Sequence, residues 1–481
     1  MLRTRTFGLI GALILAAPAA RAQTNGYLLA CSAAGPLGRG CTTLSNPADP
    51  ALILSNPAGL TVIGNRALSV NGAAFLPTMS YTNAVNARTT GAHNVYPLPA
   101  VFFADRLRGR WALAAGVQTL GGMGADYTLT HPLLGPNQRY HSKFGLMKGG
   151  LVAAYRVTPR LSVGAMAGAL YGQVEFATPY AVNPAQLAGL AGLAQDPDYA
   201  PLLAGFTEAT AYADMAGLSG FGFTAGASLE YQASPDWTFA FAWTAPSTLT
   251  MSGGTAAMDM TAQFGQLYQG MVVAKGGDAN TVNAQLAGFG IDLAAGMQSQ
   301  FGAEVDFGVP QTFTLAVGGG PWRRWRVGAD LSWIGWKHAF PEMPVRLSGG
   351  TNTNINIMMN ANPAQGSFAA AWPTEWRDAW TAKAGVEYAA GSGLTLRGGA
   401  IYGTNPVQSD YLFTVFPAIV RSAATLGAGY QVGRTVVNLT YAHTFAQSQT
   451  AAATHEVATE YANSTSRLAE NTFAIGIAWR F

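Results

Sequence analysis

Apolar side chains alternate with small or polar ones through most of the chain, the two-residue period of β-strands whose faces meet different surroundings. In the C-terminal run NTFAIGIAWRF, Phe473, Ile475, Ile477, Trp479 and Phe481 share one face, while Thr472, Ala474, Gly476, Ala478 and Arg480 share the other. Trp237, Phe239, Phe241 and Trp243 oppose Thr238, Ala240, Ala242 and Thr244 in the same way. Trp325, Val327, Ala329, Leu331 and Trp333 oppose Arg326, Gly328, Asp330 and Ser332. Aromatic residues fall toward the ends of these runs, as the two interfacial girdles of a membrane barrel require. The pattern predicts an antiparallel transmembrane β-barrel of about fourteen strands. They are placed near 67–83, 97–107, 110–122, 144–158, 161–177, 220–232, 236–253, 311–321, 324–340, 376–391, 394–407, 422–433, 435–449 and 471–481.

Connections alternate between short and long. Thr158-Pro159-Arg160, Ala233-Ser234-Pro235 and Gly391-Ser392-Gly393 are tight and polar, which reads as the periplasmic side. The long connections near 178–219, 254–310 and 341–375 then face outside. Ala and Leu in AQLAGLAGLA, and in the segment from Gly290 to Ala303, suggest short external helices. Residues 24–66 do not alternate; they are rich in Gly, Pro and Ala, with turns at Asn46-Pro47 and Asn56-Pro57. The barrel lumen has room for them, because about fourteen strands enclose more space than side chains alone fill.

The N-terminus places Arg3 and Arg5 before an apolar run from Phe7 to Ala17 and then Ala20-Arg21-Ala22, a secretory leader over residues 1–22. Leu28-Leu29-Ala30-Cys31 resembles a lipoprotein signal, but polar residues separate it from the apolar run. Beyond residue 23 no stretch reaches the roughly 18 apolar residues of a spanning helix. Only 11% of residues are charged, 58 are Gly and 49% are apolar, against a usual charged share of about 25%; lipid is the natural neighbour for such a surface. The net charge of +3 is spread without a basic cluster, which argues against nucleic acid as a partner. Cys31 and Cys41 are the two cysteines, and in an oxidising compartment a disulfide between them is the better reading than a metal site, since no His lies in that segment.

A C-terminal strand ending in Phe481 resembles the signal by which bacterial outer-membrane barrels are recognised by the barrel assembly machinery. Further likeness is to the FadL family of long-chain fatty acid and hydrocarbon uptake channels. GYLLACSAAGPLGRG, with Gly38, Arg39 and Gly40, resembles that family's N-terminal segment. Asn56-Pro57-Ala58 is similar to its plug motif. WRDAWTAKAGVEY followed by LTLRGGAIYGTNPV resembles a strand pair of the family, with Asp378 and Pro406, and Pro417 and Arg421 keep its Pro-to-Arg spacing. The resemblance implies a monomeric outer-membrane barrel, plugged over residues 23–66 and spanning the membrane over 67–481. Apolar ligands would be captured outside, held in the lumen and released sideways into outer-membrane lipid at a kinked third strand. Gly121, Gly122 and Gly124 mark that place here; glycines weaken pairing and favour bulges. A flexible strand end leading into a loop is the plainer alternative.

Alternation points Arg156, Glu230, Arg326, Asp330, Arg377, Lys383, Glu387, Arg397 and Arg480 inward. A fatty carboxylate needs a cation, and one of these could supply a charge-assisted hydrogen bond, which favours long-chain fatty acids over neutral aromatic hydrocarbons as cargo. Pairing of Arg326 with Asp330 and of Lys383 with Glu387 is the competing use. No cofactor is expected: the six histidines are scattered and no Gly-x-Ser-x-Gly elbow occurs. A general porin uses the same barrel, but a long plug segment and a lumen of Gly, Ala and Thr suit apolar cargo better than ions. An outer-membrane lipase stands further off.

Overall fold

The computed structural model describes residues 24–481 apart from positions 45, 47, 48, 65 and 108. The leader over 1–22 and the Asn46-Pro47 turn fall outside the described residues. The barrel strands are β1 (Arg66–Thr82), β2 (Tyr96–Arg106), β3 (Trp111–His131), β4 (Gly135–Arg156), β5 (Leu161–Val182) and β6 (Ala209–Gln232). Next come β7 (Trp237–Thr244 and Ser247–Asp259), β8 (Gln298–Val309 and Thr312–Trp322), β9 (Trp325–Ile334 and Glu342–Ser348) and β10 (Phe368–Pro373 and Ala379–Gly391). β11 (Leu394–Gly403), β12 (Ser422–Val432), β13 (Thr435–Thr450) and β14 (Thr465–Arg480) complete the wall. Neighbours pair antiparallel in chain order, and β14 returns to β1 from Thr465 opposite Thr82 to Arg480 opposite Ala67. The result is a closed 14-strand barrel.

Alternation does what the sequence pattern asks. In β14, Phe473 and Ile475 are exposed on the outer face while Thr472, Ala474 and Gly476 are buried. Outward apolar side chains lose nothing by exposure here, because their solvent is lipid and only the closed ladder satisfies every backbone group there. At the short-turn end, outward aromatics pair up: Trp111 with Tyr155 at 4.9 Å between centroids, Trp237 with Trp322 at 5.1 Å and Trp325 with Tyr388 at 4.5 Å. They form the girdle at that interface.

Several boundaries differ from expectation. β3 continues to His131 and β4 begins at Gly135, so most of 123–143, expected as loop, is an extended hairpin with a three-residue tip. β5 runs to Val182 and β6 begins at Ala209, and the external connections shrink to 183–208, 260–297 and 349–367. β3 to β6 have 21, 22, 22 and 24 residues, twice the roughly 9–11 that cross a bilayer. Above the membrane the outward face meets water, so in β3 buried Ala125, Tyr127 and Leu129 alternate with polar Asp126, Thr128 and Thr130 and the lipid-facing apolar row is missing. Helices in the long external connection are Thr261–Ala274 and Ala279–Gly288. The stretch from Gly290 to Ala303, expected to be helical, holds only the short turn Leu293–Ala295. It then enters β8, where Gln298–Ala303 pairs with Gly254–Asp259 of β7.

β7 to β10 are each interrupted, at 245–246, 310–311, 335–341 and 374–378. Pro246, Pro310 and Pro341 stand in the first three breaks; proline has no N–H for the ladder. The break in β9 folds inward as the short helix Trp336–Ala339 and buries Trp336 and Phe340 completely.

Candidate functional site

The described residues of 24–61 lie inside the barrel and are held from nearly every side. Gly38 to Gly40 press on wall glycines: a Cβ at Gly385 would sit 2.0 Å from the Arg39 carbonyl oxygen, and one at Gly399 2.1 Å from the Gly40 nitrogen. Gly40 itself has φ +65°, open to glycine and strained for others. Arg39 is fully buried, with Nη1 3.0 Å from Asp49 and 3.4 Å from Glu387. Arg397 Nε donates to the same Glu387 at 2.7 Å, and its Nη1 donates to Asn438 at 2.7 Å. Thr43 donates its backbone N–H and its hydroxyl to Asp330, the latter at 2.7 Å. Asn56 donates to Glu230 at 2.8 Å, the Ala58 N–H donates to Ser228 at 2.7 Å, and Thr24 donates to Glu470 at 3.1 Å. A disulfide joins Cys31 to Cys41, their Cα atoms 5.7 Å apart.

Above this segment the lumen is aromatic. Tyr27 meets Trp336 at 4.8 Å and Phe144 at 5.2 Å between centroids, and Phe144 stacks on Phe307 at 4.2 Å. Trp336 donates its indole N–H to Asn25 at 2.9 Å, as a buried tryptophan must find an acceptor. The connection 404–421 folds into the barrel rather than away from it. Val415 and Ile419 are fully buried, Phe416 packs on Phe176 at 5.0 Å, and the Val415 carbonyl accepts from the Ser142 hydroxyl of β4.

Among the described residues, pairing of the wall stops short between β2 and β3. Pairing of β2 with β3 runs only between Ala100–Gln118 and Arg106–Ala112. Beyond it, β3 has a register shift at Thr119–Gly121 and pairs on one side with β4; on the other side Leu28 of the lumenal segment lies opposite Gly121, and further along the Ala92 N–H donates to the Asp126 carbonyl at 2.8 Å. The Gly122 N–H donates to the Tyr27 carbonyl at 2.8 Å. A Cβ at Gly121 would sit 2.2 Å from that carbonyl oxygen, so only glycine admits the approach. A cavity of about 380 Å³ occupies this gap. Thr24 and Leu29 bound it from the lumen, Phe144 and Pro417 from above, and Met147 and Tyr171 from the outer face of the sheet. Its lining includes side chains from both faces of the sheet.

Gly121, Gly122 and Gly124 all line this cavity, inside a long strand rather than at a strand end. None of Arg326, Asp330, Arg377, Lys383, Glu387 and Arg397 lines it. Arg326 approaches Glu387 at 3.9 Å and not Asp330, and Lys383 lies across from Asp330 rather than engaging Glu387; partners lie across neighbouring strands, not two or four residues along one. Arg377, expected to point inward, is exposed in the break of β10, where alternation no longer holds. Lys383 borders a second, smaller cavity of about 170 Å³ with Lys148 and Ser332. The aromatic lumen of Tyr27, Phe144, Phe307 and Trp336 was not anticipated; the prolines interrupting three neighbouring strands were the available signal.

On the outside, Glu460 of the connection 451–464 is buried opposite His131, whose Nε2 is 3.7 Å from its Oε1, and it accepts a hydrogen bond from Tyr140. Burial pushes the Glu460 carboxyl up to about 7. A raised carboxyl favours the docked loop fully below the ordinary carboxylate range, and that contribution is lost as pH rises through about 7. In a His131→Asn background, which removes the opposing titration of an imidazole that burial holds down to about 4, hydrogen exchange in 451–464 is expected to be faster at pH 8.5 than at pH 5.5 (both roughly chosen to bracket that value) and to lose this dependence on the further substitution Glu460→Gln. Equal pH dependence in both proteins would contradict it.

The family model for outer membrane protein transport proteins (OMPP1/FadL/TodX) matches residues 15–481. The fold is similar to the crystal structure of the Pseudomonas putida toluene transporter TodX, with a TM-score of 0.68 at 16% identity over 95% of this chain and 100% of that one. A Pseudomonas aeruginosa FadL homologue gives 0.68 at 16% identity, over 94% of this chain and 99% of that chain. The Ralstonia pickettii toluene transporter TbuX gives 0.63 at 20% identity, over 93% and 98%. No curated protein matches the sequence.

Proposed function

Because the chain belongs to the OMPP1/FadL/TodX family of outer-membrane transport proteins, we propose that it takes up small neutral hydrophobic molecules, aromatic hydrocarbons among them, and releases them sideways through the gap between β2 and β3. The observation that carries this reading is the pairing of the cavity's charge. Lys143, the cation on its lining, lies 3.4 Å from Glu175, and Glu470 adds a further acid. Elsewhere in the lumen Arg39 and Arg397 are engaged by Asp49 and Glu387 and Lys148 donates to the Leu54 carbonyl at 3.3 Å, while Lys383 lies across from Asp330 on the separate, smaller cavity. A fatty carboxylate entering here would displace an existing partner and meet a second carboxyl, whereas a neutral ring needs only apolar contact with Phe75, Leu98 and Phe144. In this reading the neutral ring, and not the long-chain fatty acid expected from the inward cations, is the proposed cargo.

Residues 24–62 act as the plug in this reading, closing the lumen while leaving the side passage. The test compares binding of toluene and of oleate to the purified barrel, and uptake of each by cells with and without it. Toluene binding and protein-dependent uptake are expected, with oleate on the order of tenfold weaker or more, the scale of one unmade charge-assisted bond. Preferential oleate uptake would overturn the cargo assignment, and free permeation of ions and sugars would favour a porin.

A further inference from the structure

Charge is divided between the two ends of this barrel. The external connections are rich in carboxylates, among them Asp196, Asp198, Glu208, Asp278 and Asp410. The short-turn rim is rich in arginine. Arg110 stands between β2 and β3, Arg160 between β4 and β5, Arg323 and Arg324 between β8 and β9, and Arg434 between β12 and β13. All are exposed. Acids at that rim are Asp105, which Arg66 holds at 2.9 Å, and Asp236. Arg110 and Arg324 donate only to carbonyls, of Val157 at 3.2 Å and Ala390 at 3.3 Å. Arg160, Arg323 and Arg434 make no side-chain hydrogen bond or ion pair among the described residues.

We infer that this rim is a binding surface for anionic phospholipid headgroups of the periplasmic leaflet. Two features favour lipid over a soluble acidic partner. The arginines are spread around the circumference on turns from widely separated strands, where a protein would need a compact patch. They also sit directly beside the outward aromatic belt of Trp111–Tyr155 and Trp325–Tyr388, so a lipid can lay its chains against the wall and its phosphate against a guanidinium at once. Each such arginine is worth roughly a fivefold gain in partition toward an anionic surface, a gain that salt weakens.

The experiment equilibrates the cargo-free barrel with mixed vesicles of phosphatidylcholine and phosphatidylglycerol of identical chains, and reads retained lipid by native mass spectrometry. The wild type is expected to retain phosphatidylglycerol several-fold over phosphatidylcholine, less so at high salt. Joint substitution of Arg110, Arg160, Arg323, Arg324 and Arg434 by Gln should abolish the preference, and by Lys should keep it. Free glycerophosphate at equal concentration should not compete. Equal retention of the two lipids by the wild type overturns the inference, even if the Gln variant fails to fold. So does an undiminished preference in that variant, or full competition by glycerophosphate, which would reduce the rim to a site for free phosphate. None of these outcomes bears on the cargo, which the toluene and oleate comparison tests separately.

Discussion

Deleting residues 24–62 is expected to turn a nearly closed barrel into an open pore, with ion conductance in planar bilayers rising on the order of tenfold or more, since a 14-strand wall without its filling encloses a water-wide lumen. Those residues occupy the interior now, and their removal leaves Glu230, Asp330 and Glu387 facing water along the bore, where their partners Asn56, Thr43 and Arg39 had been. Strand pairing does not depend on them except at Gly121, so the deleted barrel should still migrate differently when boiled and unboiled. Unchanged conductance with a folded barrel would end the plug reading. Arg39→Ala is the milder form of the same test. Losing one partner of a buried ion pair costs about 3–5 kcal/mol, but Arg397 still faces Glu387 at 2.7 Å, so the expected loss of seating falls below that range.

Gly121→Val is expected to cut uptake of a neutral hydrophobe by on the order of tenfold while leaving the barrel folded. The new Cβ would lie 2.2 Å from the Tyr27 carbonyl oxygen. Backbone cannot swing aside as a flexible side chain can, and overpacking of this kind costs about 1–3 kcal/mol, a factor on the order of tenfold or more in a binding or passage step. The larger side chain also projects into the cavity. Gly72→Ala makes the matched control, because a Cβ there meets nothing within 4 Å. Equal uptake by Gly121→Val and Gly72→Ala would sever the gap from transport.

The membrane-crossing halves of the strands were legible because lipid on one side and a packed lumen on the other impose strict alternation, as in Phe473 to Phe481. The extramembrane halves of β3 and β4 were not, since from Asp126 to Arg139 the outward face is polar, as at Asp126, Thr128 and Arg139, and lacks the lipid-facing apolar residues that mark the other halves. Broken strands were half legible. Pro246, Pro310 and Pro341 announce interruptions, but that one of them turns Trp336 to the barrel centre depends on how Tyr27 and Phe307 fill the space. Inward direction could be read for Asp330 and Glu387, whereas their partners could not: Thr43 and Arg39 lie hundreds of residues away in sequence and meet them only once the barrel closes. Beyond Gly121, Gly122 and Gly124 the lining of the cavity escaped for the same reason, being assembled from β1, β2, β3, β4, β5, β14, the N-terminal segment and the connection 404–421.

Where β2 and β3 part, the free margin of β3 presents amide and carbonyl groups at the depth of the membrane, and hydrocarbon offers them no partner. Natural sheets treat such margins as hazards, because a second chain can add itself there. In this barrel Tyr27 and Leu28 cover the margin at Gly121 and Gly122. The stopper of the lumen and the hem of the side opening are therefore one piece of chain. A shift of the N-terminal segment large enough to widen the passage uncovers the Gly122 amide, which then needs water or a polar group on the cargo to replace the Tyr27 carbonyl. A purely apolar molecule supplies neither, so for such cargo the favoured course is to slip past a segment that stays stitched to the wall.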